Sequence, residues 1–148
     1  MKRSESESYM KFGRAQTEKH YRAALSHLYD FISESFEEFE PIDRAFALQE
    51  IGLLYFFMKN IGVAKFYFDV SLACDPNSLV NKIGYATFIG KHLRDKNLCK
   101  SLCDEIIETA KESPPIFSEN EMTPKYFIDR AEQLKSEMDR GEFYEYYD

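Results

Sequence analysis

Apolar side chains recur at intervals of three and four residues along almost the whole chain, and that is the helical spacing. The clearest stripe runs Tyr21, Leu25, Leu28, Ile32, Phe36 and Phe39. No stretch sustains the alternation of a strand, and no Asn-Gly or Asp-Gly pair marks a hairpin. The pattern predicts an all-α protein. With 44% apolar residues, 30% charged residues, 6 Gly and 5 Pro, the chain is neither collagen-like nor disordered. Its 148 residues make one domain or a short repeat array.

Breakers and caps divide the chain into about six helices. Residues 1–10 are rich in Ser and Glu and are expected to fray. The Tyr21–Phe39 helix stops at Pro41, and a second helix runs from about Ile42 to Met58, with Asp43 at its positive end. The turn Lys59–Gly62 leads to a third helix carrying Ala64, Tyr67, Phe68 and Ser71. Asp75-Pro76-Asn77-Ser78 is turn chemistry, and Asn77 or Ser78 suits the cap of a fourth helix with Ile83, Ala86 and Ile89. Asp95 suits the cap of a fifth, carrying Leu98, Leu102, Ile106 and Ala110 and ended by Pro114-Pro115. Residues 113–122 read as a loop. Thr123-Pro124 starts the last helix, with Phe127, Ala131, Leu134 and Met138, and Gly141 ends it before an acidic-aromatic tail, 141–148.

The net charge is −7, of which −5 falls in residues 111–148. No basic stripe is present, so nucleic acid is excluded as a partner, and an anionic membrane surface would be repelled. The longest apolar stretch, Ile51–Met58, is too short to cross a bilayer. Three cysteines, Cys74, Cys99 and Cys103, and a start without an apolar leader point to a reduced, cytoplasmic protein.

Segment 45–78 holds a 34-residue helix-turn-helix pattern: Leu48, Ile51, Gly52 and Tyr55, then Ala64, Phe68 and Ser71, then Pro76. Small residues at Gly52, Ala64 and Ser71 allow two helices to approach, and Pro76 stops the second. This segment resembles a tetratricopeptide repeat, with Leu48 in place of the usual Trp. The match covers about a quarter of the chain. Residues 79–112 match in part, through Tyr85, Ala86, Ile89 and Leu102. Lys82, Leu98 and Glu105 depart from the pattern. Ala24, Leu28 and Phe31 resemble a second-helix motif, 40 residues before Ala64, Phe68 and Ser71. The other reading of these matches is an irregular helical bundle.

The resemblance implies antiparallel helix pairs in a short right-handed superhelix over residues 1–140, one domain closed by a C-terminal capping helix. It also implies a concave groove lined by the first helix of each repeat. The groove positions are Phe46, Gln49, Glu50, Leu53, Phe56 and Phe57, with Ile83 and Thr87 in the weaker repeat, beside Val80 and Lys91. Gln49 and Leu53 stand where a carboxylate clamp would place Lys and Asn, so an apolar ligand is expected. The competing reading packs these aromatics under the N-terminal helix.

Chemistry-bearing clusters are sparse. Cys99 and Cys103 share a helix face, and His92 is the nearest histidine, but no fourth ligand completes a zinc set. His20 and His27 lack a linked nucleophile. Glu34, Glu37, Glu38 and Glu40 read as a solvated charge run, and calcium-loop spacing is missing. The Ser/Glu-rich start and the tail read as frayed ends or as short docking or phosphorylation segments. Walker, Rossmann, nucleophile-elbow and zincin motifs are absent. The expectation is therefore no enzyme, no metal and no cofactor. The chain reads as an adaptor, co-chaperone or assembly factor binding a protein or peptide. The alternative is a structural subunit of an obligate oligomer, a homodimer included. A helical-bundle enzyme or metal protein comes third.

Overall fold

Seven α-helices carry the chain in the computed structural model, which describes residues 3–114, 119 and 122–145. They are α1 (Glu7–Thr17), α2 (Tyr21–Ser35), α3 (Pro41–Phe57), α4 (Ile61–Cys74), α5 (Leu79–Thr87), α6 (Lys96–Glu112) and α7 (Pro124–Asp139). Single 3-10 turns lie at Arg3–Glu5 and Phe36–Glu38, and a π-helical stretch, Phe88–His92, extends α5. The all-α expectation holds. Among the described residues the only β pairing is one isolated bridge, Glu119–Met122. The chain divides into two compact units, Met1–Asp75 and Pro76–Asp148, where the sequence reading treats 1–140 as one domain.

The first unit begins with a helix that the sequence reading leaves frayed. Ser6 is fully buried, and its hydroxyl accepts the Tyr9 N–H at 3.1 Å to cap α1. Tyr9, Phe12 and Ala15 then face the core at helical spacing, joining Ala24, Leu28, Phe31, Ile51 and Leu54 in one apolar cluster. The α2 helix ends at Ser35, earlier than Phe39. Phe36 is left exposed while Phe39 packs on the cluster. Glu37 and Glu38 fall in the 3-10 turn that follows α2. Glu40 instead forms a capping box with Asp43 at the start of α3.

One connection recurs three times. Lys19, Lys59 and Arg94 each take a positive φ, at 62°, 66° and 60°. At the first two, paired hydrogen bonds close the helix end: His20 N–H to the Ala15 carbonyl with Lys19 N–H to Gln16, and Asn60 N–H to Tyr55 with Lys59 N–H to Phe56. The following residue, His20, Asn60 or Asp95, is the N-cap of the next helix. Four residues further on stands a small side chain, Ala24, Ala64 or Cys99, each 0% exposed. Leu28 and Phe31, Phe68 and Ser71, and Cys103 and Ile106 follow at matching positions, all buried.

The turns are 40 and 35 residues apart, not 34. The π-helical stretch accounts for the odd residue in the second interval. Ala86 and Ile89 lie 34 after Gly52 and Tyr55, but one inserted residue then shifts α6. Hence Cys99, Cys103 and Ile106 point inward, whereas Leu98 is exposed and Glu105 lies on the surface. Leu98 and Glu105 therefore stay on the surface while their neighbours in α6 pack inward.

Between α3 and α4 the helices meet at Gly52. A Cβ there would lie 2.8 Å from a ring carbon of Phe68 and 3.1 Å from the Ala64 carbonyl oxygen. Gln49 donates to Ser71 Oγ (3.1 Å), which donates to the Phe68 carbonyl (2.6 Å). Tyr55 and Tyr67 stack with planes 6° apart. In the second unit Gly90 plays the corresponding part, with Cys99 Sγ 2.5 Å and Met138 Sδ 2.9 Å from the position of its absent Cβ. Glu119 closes the N-terminal end of α5, accepting the Leu79 and Val80 N–H groups at 2.9 and 3.0 Å and the Ser78 hydroxyl.

Overpacking a tight helix contact costs about 1–3 kcal/mol. Gly52→Ala is expected to lower unfolding free energy by about that amount, read as a drop in urea midpoint. Gly62→Ala is the control, because a Cβ there meets nothing within 4 Å.

Candidate partner-binding face

The predicted groove residues split between the two units. Phe46, Gln49, Glu50, Leu53, Phe56 and Phe57 lie on α3 of the first, and Ile83 and Thr87 on α5 of the second. Phe46 is 39% exposed, and Leu53, Phe56 and Phe57 are half-buried. Phe57 stacks on Tyr21 of α2 at 5.3 Å, and Phe56 meets Phe57 edge-on. Part of the stripe is thus packed on a neighbouring helix, as the competing reading holds. Gln49 and Glu50 are buried, with their polar groups bonded inside the unit. Ile83 and Thr87 are half-buried, and the Thr87 hydroxyl is spent on the Ile83 carbonyl at 2.8 Å.

The centre of the α3 face is ionic. Glu50 accepts the Tyr9 hydroxyl at 2.6 Å and an Arg3 Nη2–H at 3.1 Å. Burial pushes the Glu50 carboxyl up, and the Tyr9 hydrogen bond and Arg3 charge oppose that rise. The Tyr9 hydroxyl is pushed well above the ordinary phenol range by burial and then by Glu50. The Arg3 guanidinium lies 4.7 Å from the Phe46 ring centroid, 5.3 Å from Tyr9 and 5.5 Å from Phe31. Sequence reasoning missed Arg3 and Tyr9. The spacing of Ser6, Tyr9, Phe12 and Ala15 carried the signal for α1, but nothing local announces that Arg3 reaches Glu50, 47 positions away.

In the second unit Cys99 and Cys103 are fully buried. Their mutual interaction is the main reason the Cys99 thiol is held down and the Cys103 thiol pushed up. His92 does not join them: it packs on Phe88 and on Tyr144. Among the described residues no group of three or more His, Cys, Asp or Glu side chains is placed to hold a metal ion. His20 is exposed, 3.5 Å from Glu18. Tail residues through Glu145 are described, and they are anchored. The Tyr144 N–H donates to the Lys91 carbonyl at 3.1 Å, and Phe143 takes Arg94 and Lys96 against its ring. Lys91 pairs with Glu137 at 2.8 Å, and both are buried.

No helix among the described residues is long and apolar enough to cross a membrane. No family model, curated protein or solved structure matches this chain.

Burial pushes the His92 imidazole down from 6.5 to about 4. A histidine with a lowered folded pKa adds stability above its unfolded pKa and loses it as pH falls. The second unit should therefore lose stability between pH 6.5 and about 4, by at most about 3 kcal/mol. Urea midpoints across that range check this, and His92→Gln should flatten the slope.

Proposed function

We propose that the chain is a cytoplasmic helical-repeat interaction module of the tetratricopeptide kind, which binds a partner peptide or helix along α3. The observation that carries this is the α3 stripe. Phe46 is exposed, and Leu53 and Phe56 are half-buried, on a helix whose Ile51, Gly52 and Leu54 are buried. Exposed apolar residues grouped on one face are the usual mark of an interaction surface. The threefold turn with its small buried residue supports the repeat reading, in which α1–α2, α3–α4 and α5–α6 are successive antiparallel pairs and α7 is the cap. On this reading the module works by shape and apolar complementarity and has no catalytic role.

One observation favours a second reading, a permanent subunit of an oligomer. Within Ile61–Cys74 only Lys65 and Asp69 are charged, and Ile61 and Phe66 are 53% and 61% exposed. A helix that is apolar all round belongs in a covered place.

Affinity capture from source lysate with wild type and a Leu53→Ser, Phe56→Ser variant tests the module. Phe57 is left intact because it stacks on Tyr21. The expected result is a lost partner with circular dichroism and melting close to wild type. A variant that unfolds would place these residues in the core. Molar mass by light scattering over a concentration series separates the readings: a monomer throughout supports the module, and a constant dimer supports the subunit.

A further inference from the structure

We propose that Glu50, Phe46, Phe31 and Tyr9 form a guanidinium cage whose partner ligand is an arginine side chain of a basic polypeptide, with the chain's own Arg3 as resident stand-in. The inference rests on α3 being the partner-binding face and names the chemistry that its centre recognises.

The cage has the parts a guanidinium needs. Three rings lie within 5.5 Å of the Arg3 guanidinium carbon, and the Glu50 carboxylate accepts from it at 3.1 Å. A planar, weakly hydrated guanidinium stacks on rings while its fork binds a carboxylate; a lysine ammonium does neither as well. The Glu50 side chain is only 10% exposed, and a cation within the cage answers it.

Arg3 fills the site incompletely. Only its Nη2 reaches Glu50, and its Nε is buried with no hydrogen-bond partner. Its side chain is 26% exposed, and Phe46 forms an open wall. Arg3 is held on a three-residue 3-10 turn outside the apolar cluster of the first unit. Releasing it gives up the cage contacts. An arginine arriving on another backbone can offer Glu50 the two-pronged contact that Arg3 does not make. The chain's net charge of −7 favours a basic partner.

A resident occupant lowers apparent affinity by the fraction of molecules in which the site is open. The Arg3→Ala chain is therefore titrated with N-acetyl-arginine amide, N-acetyl-lysine amide and N-acetyl-citrulline amide at constant ionic strength. Aromatic-ring NMR shifts and melting temperature are followed. The expected result is saturable binding of the arginine derivative alone, at least about tenfold weaker in wild type and lost in an Arg3→Ala, Glu50→Gln chain. Equal binding of the lysine derivative, equal affinity in wild type, or no saturable binding would overturn the cage. If Arg3→Ala does not fold by itself, recovery of its helical circular dichroism with the arginine derivative, and not with lysine, supports the cage; no recovery overturns it. The face is tested separately. A partner lost from the Leu53→Ser, Phe56→Ser chain without arginine binding leaves the face and removes the cage, and arginine binding with the partner retained does the reverse.

Discussion

Close helix approach over a small buried residue is the contact on which both units are built. At Gly52 the absent side chain lets the Phe68 ring and the Ala64 backbone come within reach of α3. A methyl group there would push the helices apart, and a close-packed interior transmits that strain. The turn sets the register of the contact. A left-handed residue reverses the chain, the next residue caps, and the small side chain arrives one turn later. Lys19, Lys59 and Arg94 take a conformation that glycine adopts more cheaply, yet a cation at a helix C-terminus faces the negative end of the dipole. Charge offsets part of the backbone strain.

A carboxylate in the body of a helix that also packs an apolar core creates a second constraint. Glu50 sits one residue before Ile51 and four before Leu54, both in the apolar cluster. The helix cannot turn Glu50 to water without turning those residues outward as well. Its charge is answered instead from outside the helix, by Tyr9 on α1 and by Arg3 ahead of it. The N-terminal segment is thus an electrostatic part of the first unit. An uncompensated buried charge is far more costly than a paired one, so loss of Arg3 would leave Glu50 to take another cation or a proton.

Helix identity was legible because apolar period and capping residues agreed. Asn60, Ser78 and Asp95 each accept an N–H three residues on, as their types suggest. The α1 helix was hidden by composition, since Ser and Glu around Tyr9 resemble a solvated end although the spacing to Phe12 and Ala15 is helical. The π insertion was hidden for a different reason. A slip from i→i+4 to i→i+5 bonding changes the register of everything after it but requires no particular residue type. Counting a fixed 34 therefore sets Leu98, and not Cys99, against Ala64. Gln49 and Glu50 stand on the stripe by position, but position alone does not say that each finds a polar partner inside the unit.

The cysteines show how packing can imitate a chemical motif. Cys99 and Cys103 have the spacing of a ligand pair, but the same positions hold Ala24 and Leu28 after the first turn and Ala64 and Phe68 after the second. All six are buried at helix contacts, where size decides what fits. A side chain at position 90 would collide with Cys99, so Gly90 keeps the contact close. The two thiols act on each other, and His92 packs on aromatic neighbours. The second unit uses its sulfur to fill space. The buried carboxylates are answered from within the chain, Glu50 by Arg3 and Tyr9 and Glu137 by Lys91.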